Sequence, residues 1–241
     1  MEINQNIAEY YDELYPVTEE QKVFYSKKME MFKKPVRFLR IGCGTGSFEH
    51  NLAKDGSDVT GLETSPELLE SANRKRRTQL MAVRYFQMQV IEMSRFLGKK
   101  FYNIISILDN RLLFSHDKTL MAKFFYDCKQ LLSENGILVV KIPNFELYNS
   151  SKFDLPVRES IRASLFTSIE QKGDEWIMNQ HLIHSSDKKI KVTEEAPVYL
   201  IKKQELEELA RAAGFTDIKF YSGFNLESLK SDSQEILAVL S

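Results

Sequence analysis

Between Arg37 and Leu52 the chain reads RFLRIGCGTGSFEHNL, with Gly42, Gly44 and Gly46 spaced two apart directly after a short apolar run. Glycine loses more backbone entropy on folding than any other residue, so such a cluster implies a tight turn or the close approach of a ligand. A strand, a glycine-rich turn and a helix start together make a crevice where backbone can approach a ligand and free N–H groups face it. Glu63 closes the next strand-like run, SDVTGLE. It lies about 20 residues past the loop, where a carboxylate can accept hydrogen bonds from both hydroxyls of a ribose. The chemistry suited to these residues is the binding of a nucleotide-like ligand. A dinucleotide loop, G-x-G-x-x-G/A, ends on a small residue that lets helix and strand pack closely, whereas Ser47 stands at that position here. The shorter G-x-G-x-G spacing requires no pyrophosphate.

The surrounding elements must hold loop and acid at one edge of a sheet. TEEQKVFYSKKMEMFKK, from Thr18 to Lys34, has helical spacing with Thr18 and Gln21 as a capping box, and Pro35 stops it. VRFLRI then enters the loop as a strand, SFEHNLAKDG follows as a short helix, and SDVTGLE is the second strand. Ser65 as N-cap and Pro66 at the first helical position start the helix PELLESANRKRR. VRYFQMQ and YNIISIL are the third and fourth strands, LMAKFFYDCKQLL a helix, and Gly136 precedes a fifth strand, ILVVKIP. Strands alternating with helices predict a largely parallel sheet with helices on both faces. The pattern changes between Asn144 and Lys203, where SLFTSIEQ, EWIMNQHLI and KIKVTEEAPVYL read as three strands of a small antiparallel insertion. The helix QELEELARAAG and the strands GFTDIKFYSG and EILAVLS would complete the main sheet. No Pro/Gly/Ser linker interrupts the chain. The expectation is one domain over 1–241, with 1–34 as a helical cap and 144–203 as an inserted lid.

Composition narrows the partners. The 241 residues are 43% hydrophobic, enough for a sizeable core, and the formal net charge is −1. That balance speaks against bulk attraction to nucleic acid or anionic lipid. No apolar run approaches the ~18 residues of a membrane span, and MEINQNIAEYYDELYP is too polar and acidic for a secretory signal. With only Cys43 and Cys128 present, a reducing cytoplasm is the expected setting.

The loop in this setting resembles motif I of the class I S-adenosylmethionine-dependent methyltransferases. There the loop curls around the methionyl part of the donor and the acid holds its ribose. ETSPELLESANRK is similar to the family's second-strand acid and the helix start after it, and LLSENGILVVKIPN to its fifth strand. FYNIISILDNRLLF resembles the fourth-strand segment, with Asn110 as in the glycine/sarcosine N-methyltransferase-like branch, and AGFTDIKFY the penultimate strand. These segments cover most of residues 36–143 and 204–241. The resemblance implies an α/β, Rossmann-like, seven-stranded mostly parallel sheet in the order 3-2-1-4-5-7-6 with an antiparallel lid. It implies S-adenosyl-L-methionine as donor, S-adenosyl-L-homocysteine as product, no metal, and a small-molecule acceptor methylated on nitrogen or oxygen. Carried onto this sequence, the donor contacts are Gly42, Cys43, Gly44, Gly46, Glu63, Thr64, Gln89, Val90, Leu108 and Asp109, with Tyr11 from the N-terminal segment.

Two positions depart from the family pattern. Arg40 stands where an acid usually meets the methionyl amino group, and Gln89 where an acid often meets the adenine amino group. The Gln89 amide oxygen can accept the same hydrogen bond. Arg40 has two readings: a side chain turned away and paired with a carboxylate, or a reorganised or weakened donor site.

Methyl transfer is an in-line displacement on an activated donor, so positioning and water exclusion suffice, and a general base is an aid rather than a requirement. Tyr11 and His116 are the candidate catalytic residues, each with a bland alternative: a tyrosine covering the core, and an exposed loop histidine. Tyr10 and Tyr15 share the tyrosine-rich segment, and Asp109 and Asn110 suit either hydrogen bonding to ligands or a turn. His181 and His184 lie three apart in a strand, on opposite faces, which makes a poor metal pair. Cys43 suits packing better than nucleophilic attack. Arg74 to Arg77 reads as a solvated helix end. In the insertion, Phe145, Tyr148, Phe153, Phe166, Trp176 and Tyr199 would line the acceptor pocket, build the lid's own core, or form a homodimer surface. An RNA methyltransferase and a binding protein without turnover are the alternative functions. A nicotinamide-dependent reductase ranks last on loop spacing.

Overall fold

The computed structural model describes residues 7–76 and 82–241. Its main sheet holds β1 (Arg37–Ile41), β2 (Asp58–Glu63), β3 (Val83–Gln87), β4 (Tyr102–Ile107) and β5 (Leu132–Pro143), with β10 (Ile218–Tyr221) and β11 (Glu235–Leu240) after an insertion. The order is β10-β11-β5-β4-β1-β2-β3, as expected from the resemblance. The first five strands pair parallel, and β11 pairs antiparallel with β5 and β10.

Register creates the crevice. Ile41, the last residue of β1, lies opposite Leu62 on one side and Ile107 on the other. Gly42, Glu63 and Leu108 therefore leave the sheet together, at the point where strand order reverses and α/β sheets bind ligands. Gly42 N–H and Cys43 N–H both donate to the Leu62 carbonyl, at 2.8 and 2.9 Å, which folds the loop back over β2.

The helices are α1 (Tyr11–Leu14), α2 (Glu19–Met29), α3 (Ser47–Lys54), α4 (Pro66–Arg76), α5 (Met93–Phe96), α6 (Lys118–Leu131) and α7 (Lys203–Ala212). Thr18 caps α2 by accepting from Gln21 N–H at 3.2 Å, and Ser65 accepts from Leu68 N–H at the start of α4. Asp117 caps α6 through Leu120 N–H at 2.8 Å, so this helix starts two residues before the apolar run that predicts it. Successive strand residues face opposite sides. Leu39 packs with Phe124, Phe125, Leu206 and Phe215 under α6 and α7, while Phe38 packs with Phe24, Tyr25, Phe48 and Leu52 under α2 and α3. Arg40 follows Phe38 by two, so its side chain enters the α2/α3 layer, and it is 5% exposed.

The insertion is a four-stranded antiparallel sheet, β6 (Lys152–Glu159), β7 (Ala163–Lys172), β8 (Glu175–His184) and β9 (Lys189–Val198), in that order. The sequence predicts three of these strands; β6 is the addition. It is an edge strand with mostly exposed residues, and Pro156 falls at an irregularity between the pairs of Leu155 and Arg158, where proline is tolerated. β5 is also longer than expected, beginning at Leu132 and carrying Asn135 at φ 61°.

Candidate functional site

Gly42, Gly44 and Gly46 have φ of 70, 58 and 73°, in the left-handed region that other residues adopt with strain. A Cβ would strike the Arg111 side chain at Gly42, the Tyr11 ring at Gly44 and the Tyr85 ring at Gly46. The loop thus serves both purposes open to a glycine cluster, a tight turn and close approach by other groups.

Glu63 is 2% exposed and fully engaged by backbone. Its Oε2 accepts from Gly44 N–H at 2.9 Å, and its Oε1 accepts from Thr64 N–H at 2.8 Å and Ser65 N–H at 3.1 Å. The acid is thereby fixed beside the loop. Arg111 Nη2 stands 3.6 Å from Oε2 and donates to the Tyr11 hydroxyl at 3.3 Å. Arg111 reaches back because Asp109 and Asn110 turn left-handed, φ 55 and 62°, before the 3₁₀ turn Arg111–Phe114. The residue that resembles the glycine/sarcosine branch, Asn110, thus has a backbone reason to be asparagine.

Two cavities flank the loop. One of about 590 Å³ is lined by Gly42, Glu63, Thr64, Gln89, Val90, Arg111, His116 and Thr193–Pro197 of β9. The other, about 440 Å³, is lined by Tyr11, Tyr15, Arg40, Cys43, Thr45, Glu49, Leu108, Asp109, Lys141 and Arg158. Of the sequence-predicted donor contacts, Gly42, Glu63, Thr64, Gln89 and Val90 line the larger cavity and Tyr11, Cys43, Leu108 and Asp109 the smaller. Gly44 and Gly46 line neither; Gly46 is the residue before α3. The two catalytic candidates are parted: Tyr11 lines the smaller cavity and His116, half exposed, the larger.

Charge in the smaller cavity is locked in pairs. Arg40 Nη2 lies 3.2 Å from Asp109 Oδ2, its Nη1 donates to Ser106 at 3.3 Å, and its Nε lies 3.6 Å from Glu49 Oε1. Arg158, from β6, is 3.5 Å from Asp109 Oδ1 and lies over the Tyr15 ring at 4.4 Å. Burial works against the Asp109 charge, yet Arg158, Arg40, Lys141 and Arg111 together hold its carboxyl below the ordinary range. Glu49 goes the other way: burial pushes it up to about 7 against the pull of Arg40. Burial raises the Tyr11 phenol well above its usual range, with Arg111 opposing, so at neutral pH Tyr11 is a neutral hydroxyl. The Cys43 thiol is pushed up by burial too, which suits packing and not attack.

Three other expectations take definite form. The Gln89 amide oxygen accepts from Glu92 N–H in a capping box, with a second lone pair left over. In the basic run, Arg74 pairs with Glu70, Lys75 with Asp12 at 2.6 Å, and Arg77 lies outside the described residues. Phe145, Tyr148, Phe153 and Trp176 contact one another and pack with Leu113, Leu155, Ile169, Met178 and Val198. Phe166 stacks on His181, and the Tyr199 hydroxyl donates to Glu205. These six aromatics line neither cavity; the insertion contributes Arg158 and Thr193–Pro197 instead. Sequence reasoning missed Glu49, Arg111, Lys141 and Arg158.

A family model for the methyltransferase domain matches residues 32–214. This chain belongs to the methyltransferase-domain family. An S-adenosylmethionine-dependent methyltransferase from Clostridium acetobutylicum has a TM-score of 0.77 at 17% identity, covering 98% of this chain and 97% of that one. A relative named as a methyltransferase in Geobacillus sp. (strain WCH70) is 27% identical over 151 residues, 62% of this chain and 56% of that protein. The match therefore spans little more than half the length of that relative. The CcbJ methyltransferase of Streptomyces caelestis has a TM-score of 0.78 at 18% identity, covering 98% of this chain and 96% of that one. S-adenosylmethionine-bound CalS10, an amino pentose methyltransferase of Micromonospora echinaspora, has a TM-score of 0.69 at 16% identity over 98% and 96%. At these identities the likeness shows the methyltransferase fold. Among the described residues no helix is long and apolar enough to cross a membrane.

The residues present fit the donor. Glu63 stands fixed on the wall of the larger cavity beside the loop, Val90 and Met88 give that wall an apolar part next to Gln89, and the buried Glu49 Oε1 has no hydrogen-bond partner.

Proposed function

We propose that this methyltransferase domain transfers the methyl group of S-adenosylmethionine to a nitrogen or oxygen of a small-molecule acceptor in a reducing, cytoplasmic setting. The observation carrying this reading is the fixed Glu63 carboxylate beside a positive-φ glycine loop, with a separate cavity across that loop. When bound, the donor supplies an electrophilic methyl carbon whose sulfur leaves as a neutral thioether. Glu63, Thr64, Gln89 and Val90 would hold the adenosine end, and Cys43, Thr45 and Leu108 would flank the aminoacyl end.

With the aminoacyl end along Cys43 and Thr45, the remainder of the cavity of about 440 Å³ is left for a small acceptor. Tyr11 and Tyr15, stacked at 4.7 Å, and Arg158 wall that cavity. Fixing the acceptor lone pair in line contributes up to about 7–11 kcal/mol without a base. Asp109, paired twice and held below the usual carboxylate range, is a weak base. The acceptor therefore enters as a neutral amine or hydroxyl, and its proton passes to solvent after the carbon–sulfur bond breaks. The amino pentose substrate class of a structural neighbour agrees with an amine acceptor.

Incubation with isotopically labelled donor and a fractionated metabolite pool, read by mass spectrometry, tests this. Products gaining one labelled methyl are expected in the small-molecule fraction. Label appearing only in RNA, with activity falling steeply as salt rises, would replace this reading with nucleic-acid methylation.

A further inference from the structure

We propose that Glu49 is the anionic partner of the donor's aminoacyl ammonium, a role displaced from strand β1 to helix α3 because Arg40 occupies the strand position. The inference rests on the donor reading above and adds to it a residue outside the loop motif.

Geometry carries it. Glu49 is 1% exposed, yet its Oε1 has no hydrogen-bond partner, and neither has Arg40 Nε, 3.6 Å away. The other Arg40 nitrogens are engaged by Ser106 and Asp109. Buried polar atoms are nearly always satisfied, so a buried carboxyl oxygen with one cation at 3.6 Å and no hydrogen bond, on a residue that borders a cavity, calls for a donor. Glu49 borders the cavity that also holds Cys43 and Thr45 of the glycine loop. An ammonium lying along the loop would meet that oxygen and complete its coordination. Arg40 faces Glu49 directly and orients its carboxyl group, and an arriving ammonium would draw that group to its ionised form. The titratable groups that face Glu49 are Arg40 from β1, Asp109 from beyond β4, Lys75 from α4, Tyr25 from α2, Cys43 in the loop and Tyr85 from β3.

The test is calorimetry on the full chain with two probes, S-adenosylhomocysteine and methylthioadenosine, which share the adenosine end but differ in the amino-acid tail. Glu49→Gln should bind methylthioadenosine within about twofold of the unmodified protein and S-adenosylhomocysteine at least ~10-fold more weakly, the size of one charge-assisted hydrogen bond. Unchanged S-adenosylhomocysteine affinity in Glu49→Gln overturns the proposal. Should that variant fail to fold, Arg40→Met with Glu49→Gln removes both charges together; the same selective loss supports the assignment and its absence overturns it. The unmodified protein gives an independent reading in buffers of different ionisation enthalpy near pH 6.5. Binding of the ammonium should expel a proton from Glu49 with S-adenosylhomocysteine and none with methylthioadenosine, and equal proton release by both overturns the role. If the unmodified protein binds neither probe, the donor site itself is wrong and this inference falls with it. If it binds both while Glu49→Gln changes nothing, only the inference falls.

Discussion

Two glutamates, Glu63 and Glu49, lie buried on either side of the glycine loop, each with an arginine nitrogen at 3.6 Å. Glu63 accepts three backbone N–H groups, whereas Glu49 has an oxygen with no hydrogen-bond partner. Backbone donors fix a carboxylate without depending on any side chain's protonation, so Glu63 is a permanent anchor. Glu49 relies on one guanidinium and is pushed up to about 7 by burial, so its charge responds to pH and to what binds beside it. The difference teaches that one crevice can fix two buried carboxyl groups by different means, one rigid and one adjustable.

Replacing the anchor should have the largest effect. In Glu63→Gln an NH₂ group must face at least one of the backbone N–H groups of Gly44, Thr64 and Ser65 that now donate to the carboxylate. A buried donor left unpaired costs about 1–3 kcal/mol. We expect the melting temperature to fall and S-adenosylhomocysteine affinity to drop by at least ~100-fold, equivalent to about 2.7 kcal/mol. Affinity within ~10-fold of the unmodified protein would erase the contrast between anchor and adjustable contact.

The adjustable side predicts a pH effect of intermediate size. The folded protein holds the Glu49 proton up to about 7, against an ordinary 4.5 when unfolded. Between those values the folded state binds more protons than the unfolded one, so this group's contribution to stability falls as pH rises from about 4.5 to about 7 and is flat above. With roughly 1.4 kcal/mol per pH unit, the loss is at most about 3 kcal/mol. Denaturant melts of the unmodified protein and Glu49→Gln across pH 5 to 8 isolate it: their stability difference should shift in favour of the variant as pH rises. A difference independent of pH would show that folding does not shift the Glu49 titration in this range, and the contrast with Glu63 would rest on hydrogen bonding alone.

The same contrast marks what the sequence could reveal. Glu63 was legible because it ends an apolar strand a fixed distance past a glycine loop; Gly44 before it and Thr64 and Ser65 after it supply the N–H groups. The parallel strands were legible likewise from alternating apolar runs, and their order from the resemblance. Glu49 was hidden, since in SFEHNLAK it reads as a surface residue beside Phe48, and its burial depends on Arg40 arriving from another element. Of the two readings of Arg40, pairing with carboxylates is what the structure shows, and those carboxylates border the cavity. Arg111 and Arg158 were missed for a similar reason. Each reaches the site through an irregular segment, a left-handed turn and a bulged edge strand, that leaves no periodic trace. Of the insertion's aromatics, for which pocket, lid core and dimer surface were all open, Phe145, Tyr148, Phe153 and Trp176 pack on one another because a four-stranded sheet needs a core of its own.

The smallest expected effect belongs to the partition between the two cavities, where Tyr11 meets Arg111. Tyr11→Phe removes one hydrogen bond at 3.3 Å and leaves Arg111 its contact with Glu63. A cost of about 0.5–1.5 kcal/mol is expected in stability, with methyl transfer slowed less than ~10-fold. Because burial keeps the phenol protonated at neutral pH and Arg111 donates to its oxygen, the hydroxyl hydrogen is free to point toward an acceptor. If single-turnover rates in Tyr11→Phe fall by ~100-fold or more with donor affinity unchanged, the hydroxyl touches the acceptor in the transition state. The partition would then be part of the chemistry as well as a wall, and Glu63 and Glu49 would hold the donor for Tyr11 to act beside.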